Sequence, residues 1–178
     1  MGKLAVLRRL SKFLPTKILE TIFKMTILPC IDYCDTIWGT CSEKNMNIAQ
    51  RLQNTAARIL TKNFDYVNFR GIDLVRSLKW QTIRERRRFH TSVLMFKCIH
   101  GYAPNYLCDH VILSREVATH NTRSSERNDV ILPFPRKEIF KRSLMYDGAS
   151  VFNSLPAILK DCDNLSDFKK WYKEIYFI

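Results

Sequence analysis

Apolar residues return every three or four positions through much of this chain, and that spacing limits the fold more than any other feature. Ile18, Leu19, Ile22, Phe23, Thr26 and Ile27 make one broad face, the repeat that a helix turns toward a core. Ala49, Leu52, Ala56, Ile59 and Leu60 make another. In a third segment Phe89, Val93, Leu94, Met95, Phe96 and Ile99 leave hardly any polar side, which predicts burial. The expectation is a mainly α chain, an irregular helical domain of about six to seven helices. One stretch departs from it. VILPFPRKEIFKR holds two short apolar runs around PFPR, the pattern of a small β-hairpin near 130–142 that its prolines confine to an edge.

Punctuation divides the helices. Pro15 and Thr16 open the first face, and Pro29 disturbs it. An aromatic-rich run reaches Gly39, after which Ser42 stands as an N-cap for the helix that carries QRLQNTAARIL. Turn formers at Asn63, Asp65, Asn68 and Gly71 precede a short helix over Ile72–Leu78 and then the longest candidate, Gln81–Ile99, which Gly101 and Pro104 end. Ser114 to Asn128 is polar without a period, the composition of a loop or hinge. It separates a helical region, 1–113, from a small carboxy-terminal α(+β) subdomain, 129–178, packed on the first. Two helices close the chain, SLMYDGASVFNSL and LSDFKKWYKEIY, the second capped at Asn164 with Asp167 in its first turn.

The charge narrows the partners. Lys and Arg number 29 against 17 Asp and Glu, a net +12, while 46% apolar residues exclude a disordered polyelectrolyte. Such an excess points to a polyanion, with nucleic acid first. No membrane partner is expected, because the longest uncharged run, Gly148 to Leu159, has Asn153 and Pro156 within it and falls short of the roughly 18 residues a span needs. Four apolar residues before Arg8 are too few for a secretory signal. The expected location is intracellular, nuclear or cytoplasmic, and not secreted. Six cysteines without a C-x-x-C pair then read as reduced thiols packed in the interior.

Candidate binding residues follow from helical geometry. On a wheel Lys44, Asn47, Arg51, Asn54, Thr55, Arg58 and Lys62 lie opposite the apolar side of their helix. Arg51, Thr55, Arg58 and Lys62 form a stripe about 16 Å long, enough to follow several phosphates. In RERRR only Arg84 and Arg88, with Arg87 nearby, share a face, and Arg86 points elsewhere. Arg136, Lys137, Lys141 and Arg142 extend the basic surface. The plainer reading is that these charges solvate helix faces or, for RERRR, serve nuclear localisation. Cys98, His100, Cys108 and His110 offer four N and S ligands for zinc. Core packing of Cys98 and a helix-end position for His100 explain them more simply, so no metal is expected. Nor is a cofactor, since the chain has no glycine-rich phosphate loop, no G-x-S-x-G elbow and no H-E-x-x-H pair.

Six segments in order carry a resemblance: LPCIDYCDTIWG, LQNTAARILT, LKWQTIRERRRFHTSVLMFKCIHGYAPNYL, HNTRSS, FKRSLMYDGASVFNSLP and a terminal FKK. Together they resemble the region that follows the polymerase domain in non-LTR (LINE, jockey-like) retrotransposon reverse transcriptases, over nearly the whole chain. KLAVLRRLSKFLP is similar to the helix after the palm. The resemblance implies a thumb-like fragment of an RNA-directed DNA polymerase, lying along template–primer duplex or RNA, with the missing palm domain as a second partner. It also implies what is absent. The family polymerises with an adjacent Asp pair plus a further Asp holding divalent metals, and this sequence has no adjacent pair, only Asp32 and Asp35 within IDYCDTIW. The expectation is a nucleic-acid-binding fragment that is not an enzyme. The competing expectation is an inert mobile-element remnant or protein-interaction fragment, whose Val6, Leu7 and Leu10 would expose an apolar surface.

Overall fold

Helices begin where the punctuation puts them, with one turn of slippage at most. The computed structural model describes residues 2–117 and 128–177, and its chain is mainly helical, without strands or sheet among the described residues. Two compact units divide it, Met1–Arg87 and Arg88–Ile178.

The first unit holds α1 (Gly2–Leu10), α2 (Thr16–Thr26), α3 (Leu28–Asp32), α4 (Asp35–Trp38), α5 (Glu43–Thr61) and α6 (Gly71–Ser77). It also holds the first turn of α7 (Ile83–Ile99). A short break does fall just before Pro29, between the end of α2 at Thr26 and the start of α3 at Leu28. Pro29 itself sits in the first turn of α3, where its missing N–H is not needed. The α7 start carries a reciprocal cap: the Thr82 amide donates to Glu85 Oε2 at 2.8 Å, and the Glu85 amide donates to Thr82 Oγ1 at 3.2 Å. That cap sets the start at Ile83 rather than Gln81. The core gathers Leu7, Leu19, Phe23, Ala56, Ile59, Leu60, Val75 and Trp80. Phe23 and Trp80 stack with centroids 4.5 Å apart, and the indole N–H donates to Glu20 Oε1 at 2.9 Å, so the ring is buried without stranding its polar edge. Leu7 is thus a core residue and not part of an exposed apolar face, while Val6 does lie exposed.

The second unit holds the rest of α7 with α8 (Asn105–Cys108), α9 (Ser114–Val117), α10 (Glu138–Lys141), a π-helical turn (Leu144–Gly148), α11 (Ala149–Asn153), α12 (Ala157–Lys160) and α13 (Leu165–Tyr176). Met95 and Phe96 from α7 pack with Phe152, Leu155, Leu159, Phe168 and Tyr172. Burial of this half of the long helix is partial: Met95 and Phe96 are fully enclosed, Phe89, Val93 and Ile99 lie half-buried against the same core, and Leu94 is half-buried. A buried ion pair, Lys160 Nζ to Asp129 at 2.6 Å, is completed by the Asn153 carbonyl at 2.7 Å.

Three expectations are corrected. Residues 130–142 form no hairpin: Val130 bridges to Leu113 instead, and Asn153 occupies both its N–H and its carbonyl at 2.8 Å. Prolines 133 and 135 lack the N–H donors a second strand would need, and Glu138–Lys141 is helical. Nor does the division between units fall in 114–128. The Leu113–Val130 bridge ties the two sides of that stretch into one core, whereas Ile83 belongs to the first core and Met95 to the second. Ser114–Val117 is a helical turn, and residues 118–127, with the HNTRSS motif, lie outside the described residues. Last, SLMYDGASVFNSL is helical but not α-helical throughout: Leu144–Gly148 winds as a π-turn that runs without a break into α11. Gly148 lies against Met95, where an added Cβ would stand 2.8 Å from the sulfur. Among the described residues no helix is long and apolar enough to cross a membrane.

Tight α5–α6 packing yields a stability prediction. A Cβ on Gly71 would meet Asn54 Cβ at 2.7 Å, and neither atom can swing aside. Gly71→Ala should lower stability by about 1–3 kcal/mol in urea unfolding, although alanine is otherwise the better helix former.

Candidate nucleic-acid interface

The basic stripe of α5 is divided by burial. Arg51 and Lys62 are exposed, as is Lys44 on the same line, and 18 positions at 1.5 Å per residue spread these three over about 27 Å. Arg58 is not among them. It is only 6% exposed, and its guanidinium donates to the carbonyls of Asp65 at 2.9 Å and Phe69 at 2.6 Å, with Asn63 at 3.5 Å. Its planar face lies 4.2 Å from the Tyr66 ring centroid. A cation in the last turn of α5 is favoured by the carbonyl end of the helix, and carbonyl oxygens replace the water it loses. Expected on the phosphate-facing side, Arg58 is a structural anchor instead.

Two neighbours are also spoken for. The Thr55 hydroxyl donates back to the Arg51 carbonyl at 2.8 Å, so it does not offer that proton to a phosphate. Asn54 is half-buried beneath Gly71, and its Oδ1 accepts from Gln50 at 2.9 Å.

The α7 arginines go separate ways. Arg86 forms a two-pronged pair with Asp32, Nε to Oδ1 at 3.0 Å and a second contact through Nη2 to Oδ2, with both side chains about a fifth exposed. It does turn away from its neighbours, as the wheel requires. Arg84 reaches Glu43 at 2.5 Å, but this pair is 64% and 75% exposed, a geometry worth at most about 1 kcal/mol and screened by salt. Arg87 runs under Gly39, where a Cβ would come within 2.1 Å of its Nε. In the second unit Arg88 donates to Ser154 Oγ at 2.9 Å and lies 5.6 Å from the Tyr176 ring. Arg136, Lys137 and Arg142 are exposed, and Lys141 pairs with Glu138 at 2.8 Å.

Between Lys62 and Arg70 lies a feature that the stripe did not include. Lys62 has φ 53° and closes α5 in a left-handed conformation. The chain then wraps around the Arg58 guanidinium. The Asp65 carboxylate receives the amides of Val67 at 2.9 Å and Asn68 at 3.0 Å and the Asn68 side-chain amide at 2.7 Å. These donors, those of Asn68 foremost, hold its carboxyl below the ordinary aspartate value of 3.8. Asn63 Oδ1 receives the Asp65 amide at 3.0 Å. The loop is thus held by hydrogen bonds at both ends and in the middle, yet it turns its rings outward. Tyr66 is 72% exposed and Val67 92%, with Phe64 and Phe69 each nearly half exposed. Arg8 covers the Phe64 ring at 5.4 Å. Aromatic residues alternating with turn formers were the available sequence signal.

The zinc candidates are not brought together. Among the described residues no ligand group forms from Cys98, His100, Cys108 and His110. His100 stacks on Phe96 with centroids 4.0 Å apart and sets Nδ1 3.0 Å from the Phe96 carbonyl, while the Cys108 thiol donates to the Ala103 carbonyl at 3.3 Å. The thiols are not uniformly interior: Cys98 and Cys162 are buried, Cys41 and Cys108 partly so, and Cys30 and Cys34 are exposed. α3 and the turn after it are too short to cover the last two.

No family model matches this chain, and neither the curated proteins nor the solved structures contain a significant match.

Two measurements check the site. Arg58→Ala should cost about 3 kcal/mol in urea unfolding, because it strands buried carbonyls, whereas Arg51→Ala should change stability by less than about 0.5 kcal/mol. Burial, with Cys108 adding to it, pushes the Cys98 thiol up to about 11, so that group stays protonated at neutral pH. Iodoacetamide at pH 8 followed by peptide mass spectrometry should label Cys30 and Cys34 well before Cys98.

Proposed function

We propose that this chain is a non-catalytic, nucleic-acid-binding piece of a non-LTR retrotransposon reverse transcriptase, and that its first unit grips the sugar-phosphate backbone. One observation carries the binding reading: the charge is unevenly shared. Met1–Arg87 has 16 Lys and Arg against 7 Asp and Glu, a net +9, while Arg88–Ile178 has 13 against 10, a net +3. Three quarters of the excess thus sits on one compact body, as a polyanion-binding surface requires.

The contacts differ from a continuous stripe. Lys44, Arg51 and Lys62 supply exposed cations along α5, and Arg8 and Arg70 add others next to the 62–70 loop. Arg84 joins them readily, since a phosphate can take the place of Glu43 in an exposed pair. Arg86 and Arg58 stay in their internal contacts. Backbone binding of this kind reads helix shape and charge rather than base sequence, which is the task of a thumb. The order of motifs that resembles the post-polymerase region supports the family part of the reading. The reading assigns no catalysis: Asp35, the acid of the Tyr33-x-Asp35 pattern, is not followed by a second Asp, and Asp32, which precedes Tyr33, is engaged by Arg86.

Filter binding of RNA–DNA duplex across a sodium chloride series tests this. Affinity should fall with salt by roughly 0.7 to 0.9 log unit per log unit for each phosphate neutralised, and Lys44→Glu with Arg51→Glu should flatten that slope. Absence of binding at low salt, combined with concentration-dependent self-association, would favour the interaction-fragment alternative.

A further inference from the structure

We propose that the loop from Lys62 to Arg70 is a stacking platform for unpaired bases, so that the first unit holds single-stranded nucleic acid as well as duplex backbone. The proposal rests on the backbone-binding reading above and adds a ligand class and a site to it.

Rigidity is the first ground. A loop free to move would lose entropy on ordering its rings against a ligand. Here Arg58, Asp65 and Asn63 already fix the backbone through the hydrogen bonds described above. Exposure is the second. A folded chain hides aromatic surface where it can, yet Tyr66 and Val67 stand mostly in solvent at the crest of a hydrogen-bonded loop, flanked by Phe64 and Phe69. Electrostatics is the third. One face of Tyr66 rests on the Arg58 guanidinium and one face of Phe64 on Arg8, so each ring is backed by a cation and presents its other face outward. Lys62 and Arg70 are exposed at the two ends of the loop, in position to take the phosphates that flank a stacked base.

This is the pairing of cationic groove and aromatic face by which single strands are held with little sequence preference. A membrane surface fits less well, because the ionised Asp65 and the exposed Asn68 side chain share the crest with the apolar groups.

The experiment compares a fluorescein-labelled oligouridylate, a blunt RNA–DNA duplex and phosphatidylserine vesicles, with circular dichroism and thermal melts on every variant. Tyr66→Ala should weaken oligouridylate binding about tenfold or more and change duplex binding by less than about twofold, since it removes a ring but no charge. Tyr66→Phe should restore the affinity. Because Tyr66→Ala also removes the ring beneath which Arg58 lies, Tyr66→Trp gives a second readout. Its added fluorescence should be quenched on binding oligouridylate, relative to the wild-type chain. Oligouridylate and duplex binding that are both indifferent to Tyr66→Ala, with no quenching in Tyr66→Trp, would overturn the platform and leave the backbone reading intact. Loss of all nucleic-acid binding at low salt removes both. Tyr66-dependent binding to vesicles without oligouridylate binding overturns the proposal in favour of a lipid-docking loop.

Discussion

A guanidinium buried without a carboxylate in direct contact organises the first unit. Arg58 can leave water only if oxygen atoms replace the solvent on its N–H groups, for a bare buried cation is prohibitively costly. α5 supplies some of that compensation through the negative end of its dipole, and the segment after Lys62 supplies the rest by curling so that carbonyls at Asp65 and Phe69 point inward. From that single demand come the shape of the loop, the outward rings, and the return of the chain to α6 with Gly71 pressed on Asn54. It also interrupts the exposed basic line of α5 between Arg51 and Lys62.

Counting positive residues overstates what a polyanion can reach, and magnitudes sort the cations better than their number does. Arg86 and Asp32 share two contacts with both side chains mostly buried, where removing either partner leaves an uncompensated charge. Arg84 and Glu43 meet in open solvent, where their attraction is comparable to thermal energy once screened. The first pair belongs to the fold, and the second is available for exchange. Lys160 and Asp129 behave like the first, since the lysine side chain is 3% exposed and also serves the Asn153 carbonyl. What remains on the first unit is a set of separated exposed cations, which suits contact with phosphates spaced along a strand better than a narrow pocket for a small anion.

Much of the fold was legible because it depends on local periodicity. The 3.6-residue repeat identified α2, α5 and α7, turn formers marked their ends, and Met95 and Phe96 of the apolar half of α7 became core, with Phe89, Val93 and Ile99 half-buried beside them. The errors came from distant partners. Val130 looked like a strand residue and found a bridge, but with Leu113, which lies across a polar stretch and not across PFPR. Leu7 looked available for another domain and instead packs with the α2 and α5 side chains. The boundary was sought in the most polar segment, although two cores share one continuous helix and divide between Arg87 and Arg88. Within the candidate site, Arg51 and Lys62 were read correctly as exposed. Arg58 was not, because charged residues are rarely buried and nothing within its own helix says that a later loop will close over it.

The sequence alone determined which segments are helical, which of their faces are apolar and how large the positive excess is, since these follow from each residue's side chain and its spacing to near neighbours. Tertiary structure decided which of the cations still face water. That outcome is a competition between solvent and backbone oxygens for the same N–H groups, and the oxygens that win come from residues brought together only when the chain closes on itself.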